Sequence, residues 1–185
     1  MSSIIVREMT LAEHMLVADY WGNASDSHLL ALGVDKTKLP SRGQWVKTLT
    51  DQFHTSLSER HMFYLGWEFQ GDLVGHSNMS PFTYGKTGMI HMHIWDDANR
   101  GQGIAKSCLG QSIAMFFDIL NLQMIICEPY AQNIGPNKVL QSLGFRPVKR
   151  YWTTPGPINL QQEVNRHEIY KQEQVTRNVY TRPFQ

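Results

Sequence analysis

The stretch from Met89 to Cys127 constrains this chain more than any other part of it. An apolar run, Met89 to Trp95, leads through the turn Arg100-Gly101-Gln102-Gly103 into a long amphipathic segment, and a second apolar run, Met124-Ile125-Ile126-Cys127, follows. Between Gly103 and Leu120, Ala105, Leu109, Phe116 and Leu120 recur on one face, with Ile104, Cys108, Met115 and Ile119 beside them. Ser107, Gln111 and Asp118 fall on the opposite side, so the spacing predicts a helix. A strand–helix–strand unit of this length implies a parallel strand pair joined by a right-handed crossover.

The flanking segments add antiparallel strands. Ile4 to Met9 reads as a strand, and Thr10 with Glu13 forms a capping box for a helix through about Trp21. Ser41 caps a second helix, Arg42 to about Phe53, with Trp45, Val46, Leu49 and Phe53 apolar. His61–Phe69 and Asp72–Tyr84 read as strands joined by the turn Gln70-Gly71-Asp72, with Pro81 expected to end the second. Gly85-Lys86-Thr87-Gly88 then turns the chain into Met89–Trp95, which makes an antiparallel meander. Gly135 or Pro136 opens a last helix that Leu143-Gly144 closes, and Phe145–Trp152 and Val164–Lys171 read as closing strands around an irregular Pro155-Gly156-Pro157 loop. The expectation is one α/β domain over residues 1–185, with a mixed, mostly antiparallel central sheet flanked by helices.

Charge and cysteine content exclude several function classes. Seventeen Lys and Arg against 16 Asp and Glu leave a net charge of +1, which lacks the basic footprint of a nucleic-acid partner. No apolar run is long enough to span a bilayer, and Met1 to Thr10 has no signal-peptide pattern. Cys108 and Cys127 lie in apolar runs at a spacing that suits neither a disulfide framework nor zinc. They read as buried, reduced thiols of a cytoplasmic protein with no metal site.

The glycine turn carries the first functional signal. Two glycines let backbone approach a ligand closely, and free amides at a helix start make an anion site to which Arg100 adds a charged donor. The simplest ligand is a pyrophosphate. A P-loop would need glycine at Arg100 and at Ala105, and a dinucleotide fingerprint would need one at Lys106, so neither fits.

Arg100-x-x-Gly103-x-Ala105, the strand before it, the irregular Asp96-Asp97-Ala98-Asn99 and the downstream Asn133…Gly144-Phe145 together resemble the GNAT (GCN-related) N-acetyltransferases. The resemblance is clearest from about His61 to Phe145. It implies a GNAT-like fold that binds acetyl-CoA as acyl donor. Arg100, Gly101, Gln102, Gly103, Ile104 and Ala105 would hold the pyrophosphate. Met89–Trp95 and Met124–Cys127 would splay into a V. The pantetheine arm would bond unpaired backbone groups at His93, Ile94 and Trp95, and Asn133 would touch the cofactor. The acceptor would be a primary amine, either a small molecule or a protein N-terminus, attacked directly in a ternary complex; a homodimer is compatible with this reading and not required by it. A CoA-binding regulatory module, or a transferase for another acyl-CoA, are the alternatives.

Amide formation needs a base, and His91 and His93 are the candidates: they alternate on one strand and therefore share a face. His91 falls where some relatives that acetylate arylalkylamines carry a histidine, but the partner position two residues earlier is Met89. Glu68 is a further candidate base, and Asp96-Asp97 could attract a cationic amine. The usual slots for the acid that protonates the thiolate hold Leu140 and Pro136; Asn137 donates hydrogen bonds but is no acid, and sequence does not place Tyr130 or Tyr151. Trp45, Trp67, Trp95 and Trp152 read as core or pocket walls.

Overall fold

The computed structural model describes residues 3–173; Met1, Ser2 and residues 174–185, the two ends of the expected domain, lie outside it. In chain order it contains β1 (Ile4–Glu8), α1 (Leu11–Asn23), α2 (Asp26–Ala31), α3 (Arg42–His54), β2 (Phe63–Phe69), β3 (Asp72–Phe82), β4 (Thr87–Ile94), α4 (Ile104–Ile119), β5 (Met124–Cys127), α5 (Ile134–Ser142), β6 (Arg146–Thr153) and β7 (Gln162–Tyr170). The strands form one seven-stranded sheet in the order β1-β2-β3-β4-β5-β7-β6. Every pairing is antiparallel except β4 with β5.

Local chemistry explains the element boundaries. Thr10 and Glu13 form a reciprocal capping box at α1, and Ser41 and Gln44 form another at α3. Arg7 on β1 reaches Glu13 of α1 and Glu68 of β2, which ties the first helix to the sheet edge. That hydrogen-bonded pairing with Arg7 holds the Glu13 carboxyl down to about 2. The short α2 is absent from the expected elements, because six residues are too few to repeat a face; the Ser25 hydroxyl caps it at the His28 amide. Pro81 does not end β3 as expected. The strand runs on to Phe82 through an irregular register between Met79 and Phe82, which is where a residue lacking an N–H is tolerated.

Two apolar layers cover the sheet. α4 and Leu140 of α5 pack on Phe63, Leu65 and Trp67 of β2, and α1, α2 and α3 pack on the other face against Tyr64. The alternation along β2 therefore sends successive side chains into different cores. Buried Ser112 in α4 is satisfied by its neighbours, since Trp67 Nε1 donates to it at 3.0 Å. At β3, a Cβ on Gly75 would lie 2.3 Å from the His93 carbonyl oxygen, so glycine is what lets β3 and β4 approach there.

Candidate active site

β4 and β5 pair only where Thr87, Gly88 and Met89 meet Met124, Ile125 and Ile126. Beyond Met89 the strands part, and a cavity of about 230 Å³ opens between them. Its walls include His91, Met92 and His93 of β4, the Cys127–Tyr130 segment, Asn133, Trp21, Trp45 and the Pro155–Asn159 loop.

The ladder decides which backbone groups face the gap. The Trp95 amide donates to the Val74 carbonyl at 3.0 Å, so it is not a free group, contrary to expectation. With antiparallel alternation, His93 and His91 likewise turn their backbone toward β3, opposite His76 and Asn78, while Ile90, Met92 and Ile94 turn theirs toward the V. Two contacts agree: the Cys127 thiol donates to the Ile90 carbonyl at 3.3 Å, and Arg100 donates to the Ile94 carbonyl at 3.4 Å. Of the three residues expected to offer backbone to the pantetheine arm, Ile94 alone faces the gap, and Met92 joins it.

The glycine turn follows β4 in the chain, and Arg100 at its start reaches back to the Ile94 carbonyl. Gly101 and Gly103 have φ of 75° and 78°, a conformation that L side chains rarely adopt. Gly103 is the N-cap of α4 and offers no side-chain cap, so the amides of Ile104, Ala105 and Lys106 have no partner within the helix. No atom lies within 4 Å of where a Cβ at Gly101 or Gly103 would stand, so the cradle is open. Arg100 is held beside it by Asp97 at 2.6 Å, and Gln102 donates to the Ala98 carbonyl at 2.7 Å. The Asn133 side chain, at the start of α5, lines the cavity and makes no hydrogen bond with the described residues. These groups fit an acyl-CoA: open amides and a cation for the pyrophosphate, unpaired strand backbone for the amide-bearing arm.

His91 and His93 both line the cavity, on the same face of β4. His91 Nε2 donates to the Ser80 carbonyl at 2.7 Å. His93 Nδ1 lies 3.1 Å from the Tyr20 hydroxyl, and that hydroxyl lies 2.7 Å from Nε2 of His28. The His93 ring stacks on His76 at 5.0 Å, and His76 Nδ1 accepts from the Trp95 indole at 2.8 Å. Burial lowers the pKa of all three imidazoles, with His76 pushed down to about 3 and His93 well below its ordinary value. They are neutral near pH 7, as a proton acceptor must be.

The other sequence candidates separate clearly. Glu68 is on the β1 side of β2, bonded to Arg7 at 2.7 Å, and does not line the cavity, so it is no base for this site. Asp96 accepts from the Ala98 amide and Asp97 pairs with Arg100, so both carboxylates are engaged. Leu140 is fully buried in the core. Asn137 spends its amide on the Tyr130 and Asn133 carbonyls at 3.1 and 2.8 Å, and its oxygen accepts from Asn165 and His167, so it is a clamp for the loop after β5. Tyr151 donates to Glu128, which also pairs with Arg166, whereas Tyr130 lines the cavity. Trp152 is 67% exposed and forms no wall; Trp67 is core, and Trp45 lines the V. Tyr20, His28 and His76 are residues that sequence reasoning missed. Each is remote in sequence from the glycine motif and meets β4 only through the fold.

A splayed parallel pair whose first strand leads into a glycine-rich anion cradle defines a class of acyl-CoA-dependent transferases. A profile of the Acetyltransferase (GNAT) domain matches residues 4–146. The chain belongs to the GNAT family, and is by that membership an acetyl-CoA-dependent N-acetyltransferase. No curated protein matches it in sequence. Among solved structures it is similar to a spermidine N-acetyltransferase from Vibrio cholerae in complex with CoA and spermine, with TM-score 0.76 and 16% identity over 93% of this chain and 98% of that one. It is similar to a ribosomal-protein-S5-alanine acetyltransferase from Vibrio fischeri, with TM-score 0.70 and 19% identity over 90% and 92%. A ribosomal L7/L12 α-N-protein acetyltransferase in complex with CoA matches with TM-score 0.72 and 14% identity over 91% and 94%. At these identities the likeness is one of fold. Among the described residues no helix is long and apolar enough to cross a membrane, and no cluster of His, Cys, Asp and Glu is arranged for a metal.

Proposed function

We propose that this protein transfers acetyl from acetyl-CoA to the primary amine of a small, largely apolar molecule, by direct attack in a ternary complex. The observation that carries this reading is the pair of neutral imidazoles, His91 and His93, on the wall of the V, on the strand that leads into an open anion cradle. Arg100 and the amides from Gly101 to Ala105 would hold the pyrophosphate. Met92 and Ile94 would offer backbone to the pantetheine arm, with Asn133 alongside. The bound thioester supplies an activated acetyl group; the protein orients it, excludes water and takes protons from the amine.

Two features favour the finer points. Cys127 lines the cavity, but burial pushes its thiol up to about 12 and it is bonded to Ile90, which makes an acetyl-cysteine route unfavourable and supports direct attack. Trp21, Trp45 and the Pro155–Ile158 loop make the acceptor side apolar, and the one carboxylate in the lining, Glu128, is already shared by Arg166 and Tyr151. A polycation would find no free carboxylate there. That favours an amine on an apolar body over spermidine, and a protein N-terminus is the second reading.

CoA release measured over a panel of arylalkylamines, polyamines and N-terminal peptides tests this. Turnover is expected with the apolar amines. Tight acetyl-CoA binding with no turnover on any amine would favour a CoA-binding regulatory module instead. Gly103→Val should abolish acetyl-CoA binding, and unimpaired binding would remove the pyrophosphate assignment.

A further inference from the structure

The His93 side of the site continues outward. Tyr20, near the end of α1, places its hydroxyl between Nδ1 of His93 at 3.1 Å and Nε2 of His28 at 2.7 Å. His93 lines the inner cavity, while Tyr20 and His28 line a separate open cleft of about 920 Å³ bounded also by Asp97 and Arg100. Nε2 of His93 and Nδ1 of His28 have no hydrogen-bond partner among the described residues and are not fully buried. The three groups thus span the wall between two cavities, with one free nitrogen at each end.

We infer that His93, Tyr20 and His28 form a proton relay between the reaction cavity and the outer cleft, a role that rests on the reading of β4 histidines as acceptors of the amine's proton. The hydrogen-bond polarity permits it. With the His93 proton on Nδ1, donating to Tyr20, the Tyr20 proton donates to Nε2 of His28. When Nε2 of His93 takes a proton from the ammonium, the Nδ1 proton passes to the Tyr20 oxygen as the Tyr20 proton passes to His28. His28 then releases its Nδ1 proton to water. Positive charge appears on half-buried His28, whose pKa burial and Arg100 also lower, rather than on His93, which burial holds well below its ordinary value.

The same chain run backward supplies the missing acid. As the C–N bond forms and the C–S bond breaks, Nε2–H of His93 protonates the departing sulfur. The Tyr20 proton returns to Nδ1 of His93, the Nε2 proton of His28 returns to Tyr20, and water restores the Nδ1 proton of His28. The second proton of the amine nitrogen leaves through Nδ1 of His91. One proton is released overall per amide formed, and no side chain is needed at Leu140 or Pro136. Tyr20 relays by exchange without ionising, consistent with burial raising its pKa.

The test uses the full chain and the amine on which the wild type turns over fastest. Tyr20→Phe keeps the ring packed on Trp21 and removes only the hydroxyl. It should lower kcat tenfold or more with unchanged acetyl-CoA affinity. His28→Ala should lower kcat similarly, and imidazole added to the buffer should restore it by filling the outer cleft. The acidic limb of kcat should shift in both variants. The charged and titratable groups facing the relay, His76 and His91 at the inner end and Asp97 and Arg100 at the outer end, remain in place in both. Wild-type kcat in both variants would overturn the relay, as would a His28→Ala defect that imidazole does not relieve, which would mark a structural role. A wild type that binds acetyl-CoA and acetylates no amine would overturn the transferase reading, and the relay with it.

Discussion

Nε2 of His91 donates to the carbonyl oxygen of Ser80 across the β3–β4 ladder, at 2.7 Å. A carbonyl only accepts, so this contact fixes the proton on Nε2 and leaves the lone pair on Nδ1. Ser80 can turn its carbonyl to a side chain because β3 loses regular register there, next to Pro81.

His91→Ala is therefore expected to lower kcat about a hundredfold with acetyl-CoA affinity unchanged. Burial lowers the His91 pKa from 6.5, so the wild-type enzyme should hold its activity down to that pH and lose it only below. Steady-state CoA release as a function of pH checks both points. A His91→Ala enzyme with wild-type kcat and pH profile would remove His91 from the chemistry.

Gly75 sets the height of β4. A Cβ at this position would stand 2.3 Å from the His93 carbonyl, and backbone cannot yield as a flexible side chain can. Gly75→Ala should cost about 1–3 kcal/mol of stability and displace His93, lowering kcat more than it raises either KM. Denaturant unfolding and kinetics on the same sample measure the two effects. A variant as stable and active as the wild type would show that β4 is free to move.

Asn137 uses all its hydrogen-bonding capacity between the loop after β5 and strand β7. Asn137→Ala leaves two backbone carbonyls and the donors of Asn165 and His167 without it, at a cost of about 2 kcal/mol or more. The loop it holds carries Tyr130 and Asn133, so the expected kinetic signature is a raised KM for acetyl-CoA. An unchanged KM would separate the clamp from the cofactor site.

The buried histidines make the fold acid-sensitive above the range of the carboxylates. Above pH 6.5 His76 is neutral in both folded and unfolded chains. Between 6.5 and about 3 the unfolded chain takes a proton that the folded protein refuses, so stability falls as pH falls. This group alone contributes a loss of about 1.4 kcal/mol per pH unit in that window, and the lowered pKa values of His14 and His93 act in the same direction. Denaturant unfolding near pH 7 and near pH 5 should differ by about 2 kcal/mol or more. Equal stability at the two pH values would mean that His76 is hydrated in solution.

Trp45 lines the side of the cavity proposed for the acceptor. It stands nearly parallel to Trp21, with ring centroids 6.4 Å apart, and its indole nitrogen is buried without a partner among the described residues. Trp45→Ala should raise KM for an arylalkylamine about tenfold, the loss of roughly 1.4 kcal/mol of apolar contact, and leave acetyl-CoA binding unaffected. An equal effect on both substrates would mean that Trp45 only supports the fold.

Much of this protein is written in local pattern. The capping boxes at Thr10 and Ser41, the meander from Phe63 to Ile94, the α4 face and the glycine turn depend on residues a few positions apart, and short-range sterics and hydrogen bonds decide them. The anion cradle belongs with these, since Gly101, Gly103 and the start of α4 are contiguous. The catalytic surroundings do not. Which backbone groups of β4 are free depends on its register with β3, and that register gives the V Met92 and Ile94 and returns Trp95 to the sheet. Glu68 and His91 are both plausible bases from sequence; packing ties one to Arg7 and turns the other into the cavity. Tyr20 and His28 reach His93 across 73 and 65 residues of chain, a separation at which no sequence period operates, so only the docking of α1 and α2 on the sheet brings them together.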